Sequence, residues 1–333
     1  MAGESKKSVI AALIGNALIA ATKFTAALFT GSSAMLAEAI HSTSDTGNQV
    51  LLLFGLRQSK KPADRMHPFG HGKEIYFWSL IVAVSLFGIG GGISIYEGIL
   101  AVSNPHPVEN AIWNYIVLGL AFLFETGSLT IAAREFWKYK GDRGALEAIH
   151  QGKDPTFFVV LFEDTAAIIG VVVAAAGIYL AGALDQPAFD AGASIVIGAI
   201  LCGVALWLAW ESKGLLVGES ADEGMVRRVD AIATEDPAVE HATKILTMHV
   251  GPDDILVTMD LQFFENLTAE DLHDSVERIE KRVREEYPAV TNMFIEIESF
   301  ARRRGDRTGG PEEKKAQADQ DTGPLNPQSG AAE

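Results

Sequence analysis

The stretch Ala34-Met35-Leu36-Ala37-Glu38-Ala39-Ile40-His41-Ser42-Thr43-Ser44-Asp45-Thr46-Gly47-Asn48-Gln49-Val50-Leu51-Leu52-Leu53-Phe54-Gly55-Leu56 decides the fold. It is long enough to cross about 30 Å of hydrocarbon, which takes roughly 20 residues. Glu38, His41, Asp45, Asn48 and Gln49 interrupt it, so hydropathy alone drops it. Five other apolar stretches lie near 8–29, 75–101, 112–132, 156–183 and 190–211. Charge placement settles the count, because short cytoplasmic loops of membrane proteins are enriched in Lys and Arg. Lys6 and Lys7 precede the first stretch. Arg57, Lys60, Lys61, Arg65 and Lys73 follow residues 34–56, and Arg134, Lys138, Lys140, Arg143 and Lys153 lie between the fourth and fifth spans. The connections near 30–33, 102–111 and 184–189 hold no Lys or Arg. That alternation requires residues 34–56 to cross, giving six spans with both termini cytoplasmic. The first span reads as a true span rather than a signal peptide, being long and without a convincing cleavage site.

The whole chain agrees with a membrane part joined to a polar one. It has 333 residues, 48% hydrophobic and 21% charged, with a mean hydropathy of +0.17 and a net charge of −16. Residues 1–214 carry 14 Lys+Arg against 17 Asp+Glu, and residues 215–333 carry 13 against 26. A single soluble domain is excluded, and so acidic a chain lacks the basic face that nucleic acid requires. The lone Cys202 permits no internal disulfide and reads as packing. Gly88 and Gly92 stand at the GxxxG spacing that favours close helix approach.

After Gly218 the pattern changes. Met225–Glu235 reads as a helix, Lys244–Val250 as a strand and residues 255–262 as a second strand by strict alternation. Thr268 followed by Asp271 opens a helix striped by Leu272, Val276, Ile279 and Val283, and Met293 begins a last strand. The order α-β-β-α-β predicts a small α+β sandwich over 215–300. Residues 301–333, with six basic and six acidic residues and no periodicity, read as a disordered tail. The net −13 of the polar part serves solubility or raises the local cation concentration.

An ionisable group inside a bilayer costs roughly 2.5–3.5 kcal/mol on insertion scales, and so it usually serves function or is paired internally. His41 and Asp45 share a helix face at i, i+4, with Glu38 and Asn48 extending the stripe. Imidazole nitrogen and carboxylate oxygen on adjacent turns suit a divalent metal; the alternative is a mutual hydrogen bond that cross-links helices. The fifth span adds the pair Glu163-Asp164, whose side chains diverge by about 100°. Asp164 is expected at the central site and Glu163 beside it as an alternate ligand. Lys23, Glu97 and Glu125 are expected to pair internally or to snorkel, not to bind metal. The loop after the second span brings Asp64, His67 and His71 within eight residues, either as metal ligands or as a solvated turn.

His41-Ser42-Thr43-Ser44-Asp45, followed by Asp64-x-x-His67-Pro68-Phe69-Gly70-His71-Gly72-Lys73, resembles the cation diffusion facilitators, a family of proton-coupled zinc and related metal transporters. The resemblance covers residues 8 to about 300. It implies a six-helix all-α membrane domain over 1–214 and a ferredoxin-like, metallochaperone-like cytoplasmic domain that forms a homodimer. It also implies a tetrahedral transport site built from His41 and Asp45 and from two positions of the fifth span, here Val160 and Asp164. Val160 cannot coordinate, which leaves Glu163, Asn48 or water to complete the shell. Fewer nitrogens relax a preference for Zn2+ toward Mn2+, Fe2+ or Co2+. Gln58-Ser59-Lys60-Lys61, Glu163-Asp164 and Asp154-Pro155-Thr156 are similar to a divergent subgroup whose animal members are mitochondrial zinc exporters. The resemblance further implies a second metal site at Asp64, His67 and His71, and a site in the cytoplasmic domain at His249, His273 and Glu296, with Asp260 nearby. Lys73 matches a lysine of interdomain charge pairs, although Val217 stands where its acidic partner belongs.

The implied activity is export of a divalent cation in exchange for protons, across a bacterial plasma membrane, by a secondary transporter rather than an enzyme. An intramembrane metallohydrolase is disfavoured by the absence of HExxH and of a serine nucleophile elbow. Val160 keeps a transport-inactive sensor or scaffold as the alternative.

Overall fold

The computed structural model describes residues 2–141, 144, 155–265 and 267–298. The tail expected at 301–333, Asp154 of Asp154-Pro155-Thr156, and the loop cations Arg143 and Lys153 fall outside the described residues. The chain divides into two compact units, Met1–Ala221 with Met248–Ile255, and Asp222–Thr247 with Leu256 onward.

The first unit is a helical membrane bundle. Helix α1 spans Ala2–Thr30 and α2 Ser33–Ser59; α3 (Glu74–Ser85) passes through a π-helical turn at Leu86–Gly92 into α4 (Ile93–Ser103). Helices α5 (Ile112–Lys140), α6 (Pro155–Leu184) and α7 (Ala188–Val217) follow. Among the described residues, five helical segments are long and apolar enough to cross a bilayer: Leu13–Thr30, Glu74–Ser103, Ile112–Lys138, Phe158–Leu184 and Ala188–Val217. Helix α2 is the one that hydropathy passes over, yet its 27 residues reach about 40 Å at 1.5 Å per residue. The outer surface is apolar, with Leu28, Phe29, Leu123 and Trp210 among its most exposed side chains. The interior is tight and alanine-rich: Ala27, Ala34, Ala37, Ala121, Ala166, Ala174 and Ala205 are buried with Met35, Val82, Leu86, Ile197 and Leu201.

The expected GxxxG contact is corrected by the structure. A Cβ on Gly88 would meet nothing within 4 Å, and one on Gly92 only Phe87 O of its own helix at 3.3 Å. The close approach runs through Gly91 and Gly98. There, added Cβ atoms would stand 2.4 Å from Cys202 Sγ and 2.6 Å from Ile195 Cγ1, both on α7. Gly91 and Gly98, seven residues apart, share the face turned to α7, whereas Gly88 and Gly92 lie off it.

Helix α2 is tied in at its N-terminal end. Gly31, at φ +67°, turns the chain out of α1. Ser32 then caps α2, accepting from Met35 N at 3.1 Å. The buried Asp190 of α7 accepts from Ser32 Oγ and Ser33 N, each at 2.6 Å. A carboxylate at a helix N-terminus satisfies orphan N–H groups and faces the positive end of the helix dipole.

The C-terminal domain has the expected order: α8 (Glu223–Thr234), β1 (Val239–Gly251), β2 (Asp254–Phe263), α9 (Ala269–Glu286) and β3 (Val290–Ile297), with sheet order β1-β2-β3. Ile255, Val257, Met259, Leu261 and Phe263 bury one face of β2. Thr268 and Asp271 close the capping box that starts α9. Asp236 ties α8 to α9, accepting from Ser275 Oγ at 2.8 Å and from Arg278 Nε at 2.9 Å. Burial pushes its carboxyl up, but the Arg278 and Ser275 bonds outweigh that and hold it below the usual carboxylate range.

Candidate metal centre

Two separate clusters carry metal-ligating chemistry. The first lies within the helices. His41 is fully buried, with Nδ1 3.2 Å from Asp45 Oδ1. The approach is close but misaligned for a hydrogen bond, so both imidazole nitrogens and Asp45 Oδ1 lack a hydrogen-bond partner. Orphaned polar atoms at such depth cost about 1–3 kcal/mol each, and an incoming ligand satisfies them.

Asp45 opens onto a small polar cavity walled by Asn16, Ser42 and Gln49, by Glu125 of α5, and by Val160, Glu163 and Asp164 of α6. His41 does not line it. The acidic pair diverges as adjacent helical residues must. Glu163 accepts from Asn48 Nδ2 of α2 at 2.7 Å, while Asp164 accepts from Ser128 Oγ of α5 at 2.7 Å. Both still reach the one cavity. Val160 presents methyl groups to it where the resemblance leads one to look for a ligand.

The other intramembrane charges resolve differently. Lys23 is fully buried, with Nζ 2.8 Å from Glu38 Oε2 and 2.8 Å from Ser42 Oγ, so it is paired internally. Glu38, part of the α2 stripe, is thereby engaged by Lys23. Glu125 is the residue that sequence reasoning set aside and the structure returns to the cavity. Its signal was a mid-span carboxylate three residues before Ser128, on one face of α5 with it.

The second cluster is the loop between α2 and α3. Asp64 Oδ1 accepts from Met66 N at 2.8 Å and His67 N at 2.7 Å, so the carboxylate organises its own loop. His67 Nδ1 lies 3.3 Å from Asp64 Oδ1, and His71 Nε2 lies 3.2 Å from Asp64 Oδ2. Ligands about 2.0–2.1 Å from a tetrahedral ion stand about 3.4 Å apart, so these separations fit a metal. Among the described residues this is the one group of three or more His, Cys, Asp or Glu whose ligand atoms all lie within 4.8 Å. The helical cluster is looser. The His67 N–H and then the His71 imidazole hold the Asp64 carboxyl well below the usual carboxylate range. Lys73 Nζ lies 3.5 Å from Leu216 O, with Val217 exposed beyond.

The residues expected in the C-terminal domain are spread out. His249 is buried on β1, His273 exposed on α9, Glu296 exposed on β3 and Asp260 half-buried on β2. They form no such group among the described residues of one chain.

A helical membrane bundle with a buried imidazole and carboxylates around a polar cavity, an Asp/His loop centre and an appended α+β domain defines a metal-ion transporter. Residues 9–217 match the cation efflux transmembrane domain, and residues 221–300 match the cation efflux protein cytoplasmic domain. The chain belongs to the cation diffusion facilitator family, whose members are secondary transporters and not enzymes. It is 30% identical over 330 residues to the proton-coupled zinc antiporter SLC30A9, mitochondrial, of Xenopus laevis, covering 87% of this chain and 59% of that one. The Homo sapiens protein of that name is 34% identical over 249 residues, covering 74% and 44%. Metal tolerance protein C4 of Arabidopsis thaliana is 32% identical over 261 residues, covering 78% and 57%. The chain thus spans about half the length of these curated relatives.

Proposed function

We propose that this chain exports a divalent cation, Zn2+ foremost, in exchange for protons by alternating access. The observation that carries this reading is the fully buried His41 with both ring nitrogens unpartnered, beside Asp45 and a cavity walled by Glu163 and Asp164. His41, Asp45, Asp164 and Glu163 are the transport ligands. Asp64, His67 and His71 form a second, loop metal site. His249, His273 and Glu296 are candidates for a third in a C-terminal domain that pairs two copies into a homodimer.

The mechanism follows from ligand chemistry. A metal requires deprotonated carboxylates and a neutral imidazole, so loading releases protons and protonation releases metal. A site open to the proton-poor side loads; open to the proton-rich side, it discharges and returns protonated. Six spans, with α2 counted among them, put both ends of the described chain on the side of the Lys/Arg-rich loops. A bacterial plasma membrane goes with this reading. The relatives' names support zinc and proton coupling; the oxygen-rich cavity keeps Mn2+, Fe2+ and Co2+ in play.

The test is flux into proteoliposomes of defined internal pH, for the wild-type chain and Asp45→Ala. Wild-type Zn2+ uptake should follow the imposed pH gradient and Asp45→Ala should abolish it. Uptake unchanged by the substitution sinks the site assignment. Val160 in the cavity wall favours one other reading, a sensor, and wild-type metal binding without flux would establish that instead.

A further inference from the structure

We propose that Glu125 is a substrate-binding residue of the transport cavity, supplying the ligand that Val160 cannot, and that it sets the balance between Mn2+ and Zn2+. This rests on the transport reading above and adds a residue from α5, a helix outside the expected ligand set.

Three observations support it. Glu125 is more than nine-tenths buried and lines the same cavity as Asp45, Glu163 and Asp164. It has no hydrogen-bond or ion-pair partner among the described residues, although Lys23, the one fully buried lysine, serves Glu38 and Ser42 nearby. Its oxygens open onto the cavity rather than onto a protein partner; a carboxylate at membrane depth is costly, and a cation in the cavity relieves that cost directly. The third observation is mobility of role. Glu163 and Asp164 are each held by a bond, to Asn48 and Ser128, whereas Glu125 closes on an ion without breaking one. Since no three of these groups yet bring their ligand atoms within 4.8 Å, closure is what binding demands.

The cavity wall also bears on the choice of metal. Its donors are carboxylate, amide and hydroxyl oxygens, with the His41 ring outside the lining. Oxygen donors suit Mn2+, while imidazole nitrogen favours Zn2+ and its neighbours in the series. Glu125 therefore shifts the site toward oxygen, and a histidine there should shift it back.

The experiment compares initial rates of Mn2+ and Zn2+ uptake by proteoliposomes holding the full chain, with Glu125→Gln, Glu125→His and Asp45→Ala alongside wild type. Glu125→Gln should raise KM for Mn2+ about tenfold or more, the scale seen when groups around a metal are altered, and raise KM for Zn2+ less. Glu125→His should move the Mn2+:Zn2+ ratio of kcat/KM toward zinc. Wild-type KM values and an unchanged ratio in both variants overturn the inference. If Glu125→Gln does not yield folded protein, Glu125→His decides by the ratio alone. Asp45→Ala separates the two claims: a dead Asp45→Ala beside unaltered Glu125 variants refutes only the role of Glu125, whereas an active Asp45→Ala refutes the transport site itself.

Discussion

Replacing Gly91 with alanine tests the helix packing that supports the cavity. An added Cβ would stand 2.4 Å from Cys202 Sγ, 2.9 Å from Gly198 O and 3.0 Å from Cys202 N. The thiol can turn away, but the two backbone atoms of α7 cannot, so the π-helical turn and α7 must separate. Overpacking of this kind costs about 1–3 kcal/mol. Gly88→Ala is the matched control, since its Cβ would meet nothing within 4 Å. There the helical preference of alanine over glycine should give about 0.5–1 kcal/mol of added stability. The two substitutions, three residues apart and chemically identical, are therefore expected to differ in sign. Unfolding of the purified full chain in mixed SDS–detergent micelles measures this from the shift in midpoint. Cys202→Ala in the Gly91→Ala background should recover only part of the loss, because the 2.9 Å approach to Gly198 O remains. A neutral Gly91→Ala with a costly Gly88→Ala would refute the reasoning and restore the GxxxG seam at Gly88 and Gly92.

Lys23→Met should cost about 3–5 kcal/mol by leaving Glu38 charged and buried, while Lys23→Met with Glu38→Met should recover most of it; a double variant no more stable than the single one contradicts the pairing. Asp190→Ala removes the acceptor for Ser32 Oγ and Ser33 N and should destabilise by about 0.5–2 kcal/mol, as lost caps do, with Asp190→Asn milder in the same unfolding assay. In the loop, Asp64→Asn should weaken metal binding measured by titration calorimetry of the full chain. The Asp64 carboxyl is held below its ordinary value, so its contribution is present above that value and is lost only as pH falls through the depressed one. His67→Gln and His71→Gln together should weaken binding further in the same titration, since their ring nitrogens stand 3.3 and 3.2 Å from the Asp64 oxygens. Loop binding unaffected by that double substitution would place the loop metal elsewhere.

Much of the architecture could be read from residue order because the physics behind it is local. The capping box at Thr268 and Asp271, the alternation of β2 and the loop triad all involve neighbours in sequence. Residues 34–56 were read as a span from the charges around them rather than from their own hydropathy. What escaped was rotational. Whether Gly88 or Gly91 meets α7 depends on how the helix is rotated against α7, which the glycine spacing alone does not give. Whether Glu125 points at lipid, a partner or the cavity depends on how α5 is rotated against α6, which the Ser128–Asp164 bond helps fix. Strand β1 begins at Val239, ahead of the expected Lys244, because Glu240, His241 and Thr243 give its first half little apolar alternation.

Helix α2 shows why a hydropathy criterion passes over a segment that the bundle nonetheless takes in. Such a criterion asks what a helix would cost facing lipid, and an ionisable group at mid-bilayer costs roughly 2.5–3.5 kcal/mol. Helix α2 carries Glu38, His41 and Asp45, so facing lipid it would bear several such penalties. In the bundle each polar turn instead faces protein: Ser32 and Ser33 meet Asp190, Glu38 and Ser42 meet Lys23, and Asn48 meets Glu163. Most of the side chains it shows outward, Val50, Leu53, Phe54 and Leu56, are apolar, with Thr43 and the terminal Arg57 the polar ones. Its stability is therefore lent by α1, α6 and α7 rather than by the bilayer. The same dependence couples the proposed site to packing: His41 and Asp45 stand where those three helices hold them, so a change at Lys23 or Asp190 should reach the polar cavity through α2 without touching a proposed ligand.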